Sequence, residues 1–428
     1  MPTITAWEGM PVDFPEGTNR REVIARIMRA TDDLGFVAFR ERRGRLHAAE
    51  VVGTLQVGGM RLNILPKNDA VCEKKGSGFL LNLLAAGGYV KNAHLGDAVV
   101  SAHSADPMEL VTISIARRIQ QTLASNAPLR YEAVAENLST VRGKLEVGKL
   151  ASCSAQGRVV IPVRHFPLTM DSELARCIKG IATVLLSSAR SQLSRNLLSS
   201  ILISLSATRS ISLNPARLES LRLTGAEECW REIIEFGQMF LKGNSPDPTF
   251  AGDTNAFGLL FPPHHLFERA MREIIRRASS MLQLSSSHIG GSKFLYKKLE
   301  NDVGVVRLRP DYLLKEGEAP VAIADAKWKR LSNGRKGLGV SREDLFQIAA
   351  YLSRYDVQQG LLLFPKSPGS AAGILARYYN PSGSDRISLL SVDIERLVSH
   401  RSGVRTLALA QFAEDLRDAI CHERDSAI

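Results

Sequence analysis

The stretch RLRPDYLLKEGEAPVAIADAKWKRL, Arg307–Leu331, decides how this sequence is read. VVRLRPDYLL (Val305–Leu314) predicts a strand, KEGEAP a turn, and VAIADAKWK (Val321–Lys329) a second strand. Residues two apart share a face of a strand. Val321, Ile323, Asp325 and Lys327 therefore point one way, and Ala322, Ala324, Ala326 and Trp328 the other. A hairpin brings Asp311 alongside Asp325. Isolated charge is expensive inside a sheet, so the two carboxylates and the ammonium need a reason to be there.

Two carboxylates at close range repel and raise each other's pKa. A divalent cation, Mg²⁺ or Mn²⁺, removes that conflict. Mg²⁺ is hard, prefers oxygen and takes one or two protein carboxylates together with substrate phosphate. Lys327 can then hold the attacking water and balance charge on a scissile phosphate. Lewis acid, oriented water and charge stabilisation are the parts of metal-assisted phosphodiester hydrolysis. A lone Asp-x-Lys is more often a structural ion pair. The preceding Pro310, the turn, the apolar strand and two flanking helices shift the balance towards chemistry.

The first flanking helix is HHLFERAMREIIRRASSML (His264–Leu282). Leu266, Phe267, Ala270, Met271, Ile274 and Ala278 form its apolar face. Glu268 sits at the edge of that stripe, where a carboxylate needs a partner. Arg269, Arg272, Arg276 and Arg277 fit a solvated basic face. The second helix is SREDLFQIAAYLSRYD (Ser341–Asp356), opened by a capping pair, Ser341 and Asp344. Gln347 and Tyr351, four apart, share a face suited to substrate phosphate or the surroundings of Lys327. Between strand and helix, LSNGRKGLG (Leu331–Gly339) is a glycine-rich basic loop. Its Arg335 and Lys336 are candidates for DNA-backbone contacts, which position without specifying sequence.

Charge points the same way. Fifty-five Lys+Arg against 44 Asp+Glu give a formal net charge of +11, which favours a polyanionic partner. The five cysteines, Cys72, Cys153, Cys177, Cys229 and Cys421, are scattered and form no CxxC. That argues against a disulfide framework, a zinc site or a four-cysteine iron–sulfur cluster and fits a reducing, cytoplasmic setting. The N-terminal MPTITAWEGMPVDFPEG lacks the charge and apolar run of a signal peptide. No apolar run approaches a membrane span.

Three segments follow from the pattern along 428 residues. Residues 1–110 read as β-rich, with Gly58-Gly59 at a hairpin turn and GFLLNLLAAGGYV (Gly78–Val90) as a short apolar helix closed by glycines. Residues 111–245 turn mainly helical, as in MELVTISIARRIQQTLAS (Met108–Ser125), LARCIKGIATVLLSSAR (Leu174–Arg190) and ECWREIIEFGQMFL (Glu228–Leu241). KGNSPDPTFAGDTNAFG (Lys242–Gly258) marks a boundary. Beyond it, 246–428 predicts an α/β core.

Pro310-Asp311 followed by Asp325-Ala326-Lys327 resembles the PD-(D/E)xK nuclease motif. LFERAMREII, LRPDYLL, ADAKWKRL and DLFQIAAYLSRY resemble the McrC family, nuclease subunits of 5-methylcytosine-dependent restriction systems. LNILPK (Leu62–Lys67) and VRGKLE (Val141–Glu146) are similar to its upstream blocks, whereas SELARCIKG departs from its usual asparagine-containing pattern. The resemblance implies an α/β fold: a C-terminal restriction-endonuclease-like core, a mixed sheet flanked by helices, after a β-rich N-terminal docking domain and a helical middle. It implies that Asp311, Asp325, the Ala326 carbonyl and Glu268 are metal ligands and Lys327 the catalytic lysine. It also implies a DNA endonuclease of a defence system, acting on modified double-stranded DNA when activated by a McrB-like AAA+ GTPase ring. The chain has no G-x-x-x-x-G-K-[ST] of its own. The competing readings are a repair or junction nuclease and a non-catalytic DNA-binding adaptor of an AAA+ motor.

Overall fold

The computed structural model describes residues 3–34, 36–57, 59–67, 73–89, 107–157, 159–242, 257–287, 293–331, 336–367 and 369–421. The chain gathers into two compact units. One combines Met1–Met108 with Pro246–Ile428, and the other is Glu109–Ser245.

The N-terminal segment supplies β1 (Thr3–Trp7), α1 (Arg20–Ala30), β2 (Phe39–Arg42), β3 (Arg45–Ala48), β4 (Val52–Val57), β5 (Met60–Leu65) and α2 (Glu73–Ala86). β4 and β5 form the expected hairpin, closing between Val57 and Met60; Gly58 lies outside the described residues. β1 joins β5 in parallel. Ile4, Leu55, Leu62 and Ile64 build the core, against which α1 lays Ile24 and Ile27. The helix expected at Gly78–Val90 begins earlier, at Glu73, and ends at Ala86 before the paired glycines.

The middle unit is helical with small sheets. Its elements are α3 (Pro107–Ser125), β6 (Arg130–Tyr131), β7 (Val134–Leu138), β8 (Lys144–Leu145), α4 (Val147–Ala155), β9 (Ile161–His165), β10 (Leu168–Thr169), α5 (Glu173–Ser188), α6 (Gln192–Ser204), α7 (Pro215–Ser220) and α8 (Arg231–Lys242). β7, β9 and β8 form one sheet, β10 and β6 another. Asp171 is a hub here: Arg176 Nε donates to it at 2.8 Å and the Arg209 amide at 2.8 Å. Arg176 is the main cause that holds this carboxyl far below the ordinary range.

The last segment supplies β11 (Phe257–Phe261), α9 (Pro263–Met281), β12 (Ser285–Ser287), β13 (Lys293–Lys297), β14 (Gly304–Leu308), β15 (Tyr312–Glu316), β16 (Ala319–Ala326), α10 (Arg342–Tyr355), β17 (Gln359–Pro365), β18 (Gly373–Tyr379), β19 (Arg386–Val392), α11 (Ile394–Leu397) and α12 (Ser402–Cys421). Six strands form one mixed sheet in the order β12-β15-β16-β17-β19-β18. β15 and β16 are antiparallel, while β16, β17 and β19 run parallel. Ile348, Tyr351, Leu352 and Tyr355 of α10 pack against Leu313, Ile323, Leu362 and Phe364. α9 contacts β16, and its partner α12 contacts β17, β18 and β19. Helices on the faces bury β16 completely through its centre, with Ala322, Ile323 and Ala324 at 0% exposure.

Two further sequence expectations change in this segment and its neighbour. The strand expected at Val305–Leu314 is two strands: β14 pairs with β13, β15 with β16. Pro310, which has no amide hydrogen to give a ladder, falls in the break. The second is the division into three consecutive segments. β11 adds antiparallel to β4, at the edge of the N-terminal sheet, so the first and last segments fold together. The linker expected at Lys242–Gly258 lies mostly outside the described residues.

Candidate active site

β15 and β16 set the site. Tyr312 pairs with Ala324 and Leu313 with Ile323, so the next step of this register sets Asp311 across from Asp325. The turn between them is only Gly317-Glu318, shorter than the six residues expected. Asp325 is 2% exposed. Its Oδ2 lies 2.6 Å from Lys327 Nζ, yet among the described residues no donor meets that atom at hydrogen-bonding angles. Asp311 Oδ2 accepts from the Ala326 amide at 2.8 Å. The strand ends at Ala326, and Lys327 donates its own amide to the Leu363 carbonyl at 2.8 Å.

α10 holds the lysine from the other side. Its start is fixed by the capping box of Ser341 and Asp344, and Asp344 is also ion-paired with Lys329. One turn into the helix, Gln347 Oε1 accepts from Lys327 Nζ at 2.7 Å. Gln347 Nε2 donates to the Tyr351 hydroxyl at 2.7 Å, which donates to the Arg309 carbonyl at 3.1 Å. A closed chain of contacts thus runs from the residue two before Asp311 to the lysine. Burial pushes the Tyr351 hydroxyl up to about 12, so it stays a donor.

The site is short of positive charge. Burial, then Asp325 and Glu268, push Asp311 up to about 8. Burial raises Asp325 as well, against the pull of Lys327. Glu268, on α9, acts through its charge, while its backbone carbonyl accepts from the Tyr312 hydroxyl at 2.5 Å. Among the described residues no three His, Cys, Asp or Glu side chains converge as a ready-made metal cage. Two repelling carboxylates, one with an oxygen lacking an aligned donor, suit a hard divalent ion that completes its shell with water and phosphate. Arg335 lies outside the described residues. Lys336 opens a short 3₁₀ turn, Lys336–Gly339.

Sequence reasoning missed one supporting group. Trp328, directly after the lysine, donates its indole N–H to Glu8 Oε1 at 2.9 Å, across 320 residues of chain. Glu8 Oε2 accepts from the Lys67 amide at 3.2 Å, and burial raises the Glu8 carboxyl. Phe267 of α9 packs against the same indole, ring centroids 5.4 Å apart. A tryptophan beside a charged motif was the available signal; nothing local named Glu8 as its partner.

Fold and site define a mixed α/β protein with a buried carboxylate–lysine cluster between a sheet and a capped helix. Residues 46–365 match the family model described as McrBC 5-methylcytosine restriction system component, and the chain belongs to that family. No curated protein sequence matches it. Among solved structures, it is similar to a chain of the refined half-complex from the tetradecameric assembly of Thermococcus gammatolerans McrB AAA+ hexamers with bound McrC. That match has TM-score 0.67 and 16% identity over 97% of this chain and 99% of the other. The cryo-EM structure of the Thermococcus gammatolerans McrBC complex matches with TM-score 0.51 and 16% identity, over 64% of this chain and 88% of the other. Among the described residues no helix is long and apolar enough to cross a membrane.

Proposed function

We propose that this chain is the nuclease subunit of its restriction system, a Mg²⁺- or Mn²⁺-dependent DNA endonuclease with a PD-(D/E)xK core. The observation that carries the reading is the convergence of Asp311, Asp325 and Lys327 at the ends of two paired strands. Asp311, Asp325 and the Ala326 carbonyl would hold the ion, with Glu268 as an accessory acid. Bound there, the ion supplies Lewis acidity and an acidified water. Lys327 is steered by Gln347 and Asp325 so that its ammonium faces the reacting phosphate and balances developing charge. Tyr351 keeps Gln347 in the orientation that accepts from the lysine. The buried walls exclude bulk water and strengthen each of these interactions.

The likeness to assemblies of McrB AAA+ hexamers with bound McrC supports an AAA+ GTPase ring as the activating partner. Modified double-stranded DNA is the substrate this reading requires. Cleavage of methylated plasmid by the full chain plus motor, GTP and Mg²⁺ tests it. Lys327→Ala should slow cleavage by about 10²–10³-fold, and Asp325→Ala should abolish it with the fold intact. Normal cutting by Asp325→Ala would sink the assignment. Vigorous cutting without a motor would favour a stand-alone repair nuclease instead.

A further inference from the structure

The β2–β3 hairpin carries charge that neither folding nor the catalytic cluster uses. Its register pairs Arg40 with His47 and Arg42 with Arg45, while Phe39 pairs with Ala48 and Glu41 with Leu46. Strand alternation then separates two faces. Phe39, Leu46 and Ala48 are 2% exposed or less and belong to the N-terminal core. Arg40, Arg42, Arg45 and His47 share the outer face. The tip is a two-residue turn, Arg43-Gly44, with φ of 51° and 73°. Positive φ at both positions matches a type I′ turn, whose twist suits the strands it joins, so the arm is preformed.

Arg42 and Arg45 stand directly opposite each other, a destabilising arrangement of like charges. Among the described residues, the side chains of Arg40, Arg42, Arg45 and His47 make no hydrogen bond or ion pair that would offset it. A fold gains nothing from this; a polyanion would.

Position supplies the second argument. Arg40, Arg42 and His47 line a cavity of about 240 Å³ with Lys67, Glu8 and Glu50. Glu8 is the buried carboxylate that grips Trp328, the residue after Lys327. Glu50 and Lys327 both act on His264, whose ring burial pushes towards the neutral form. Through Glu8 the cavity therefore reaches Trp328, the residue that follows Lys327. Lys67 also lines a second cavity of about 160 Å³, with Trp328, Arg330, Arg396, Glu395 and the ion-paired Lys366 and Asp393, where among the described residues Arg330 Nη2 is buried without a hydrogen-bond partner. Glu50 offsets one of the positive charges, and Glu8 is already held by Trp328 and the Lys67 amide. The balance stays cationic on both sides of the tryptophan.

We propose that the outer face of the β2–β3 hairpin, with Lys67, binds the sugar-phosphate backbone of duplex DNA next to the scissile bond. The proposal rests on the nuclease reading above. Such contacts fix register on the duplex and carry no sequence information, which leaves recognition of the mark to other parts of the system.

The test is equilibrium binding of a fluorescein-labelled, unmodified DNA duplex to the full chain without metal, across a salt series. The Arg40→Ala/Arg42→Ala/Arg45→Ala variant should bind at least tenfold more weakly at low salt. Its log–log salt slope should fall by about 2–3, since each phosphate contact contributes about 0.9. The matching triple Arg→Lys variant should keep most of the slope. Because these side chains are exposed and Arg42 and Arg45 repel, thermal melting of the alanine variant should stay unchanged or rise slightly. Wild-type affinity and slope in the alanine variant, or no DNA binding by the wild type, would overturn the proposal. So would intact DNA binding with lost stimulation of an AAA+ motor, which would assign the face to a protein partner. Failure of the nuclease reading looks different: Asp325→Ala would then cut DNA like the wild type.

Discussion

Asp311 concentrates the chemistry of the site in one proton. Unfolded, it ionises near the ordinary aspartate value of about 4; folded, it keeps its proton up to about 8. The unfolded chain therefore loses this proton first. Stability contributed by the protonated group is fully present below about pH 4 and declines until about pH 8. In chelator, Asp311→Asn should flatten that decline and raise the melting temperature at pH 8 by about 2–4 °C for each kcal/mol regained. Melts from pH 5 to pH 8 decide the matter, and equal pH slopes in the two proteins would refute it. The same variant should not cut DNA, so stability and activity move in opposite directions. Period-two alternation was enough to place Asp311, Asp325 and Lys327 together. It could not show that Lys327 divides its ammonium between Asp325 and Gln347, because helix α10 approaches only in the folded sheet.

Elements were legible where one local pattern dominated. The capping signal gave the start of α10, and apolar spacing gave α5 and α9. The strand across Pro310 was misread because apolar content continued through a residue that cannot join a ladder. β11 lay hidden beside a turn-rich segment, and its partner was two hundred residues back. Its docking depends on Gly53, at φ +128°, where a Cβ would fall 1.9 Å from the Leu259 carbonyl oxygen. Gly53→Ala should cost more than about 3 kcal/mol, combining a clash with backbone strain. Gly9→Ala, also at positive φ but with open space around it, should cost only about 1–2 kcal/mol. Urea denaturation measures both; similar losses would mean that β11 yields easily and does not anchor the sheet.

At the scale of the whole chain, charge and composition pointed to a polyanion-binding protein, and the middle segment matches a compact unit, but the first and last segments form one unit rather than two. The unit holding the site takes its strands from both ends of the sequence. Long-range pairs such as β4 with β11, or Glu8 with Trp328, leave no local trace, since each half looks like an ordinary segment. A fragment of Pro246–Ile428 should accordingly fail to reach a cooperative melt alone. Adding Met1–Met108 in trans should restore one, seen as a sharp circular-dichroism transition. A cooperative melt by the lone fragment would show that β4 and Glu8 are dispensable.

The discontinuity also has a consequence in time. A ribosome adds about 5–20 residues per second, so β4 waits on the order of ten seconds or more for β11 to emerge. Lys327 and the helix that aims it come later still. A growing chain thus holds Glu8 long before it holds the Asp311–Asp325–Lys327 cluster. On the nuclease reading proposed above, the order of synthesis keeps an unfinished copy from cutting.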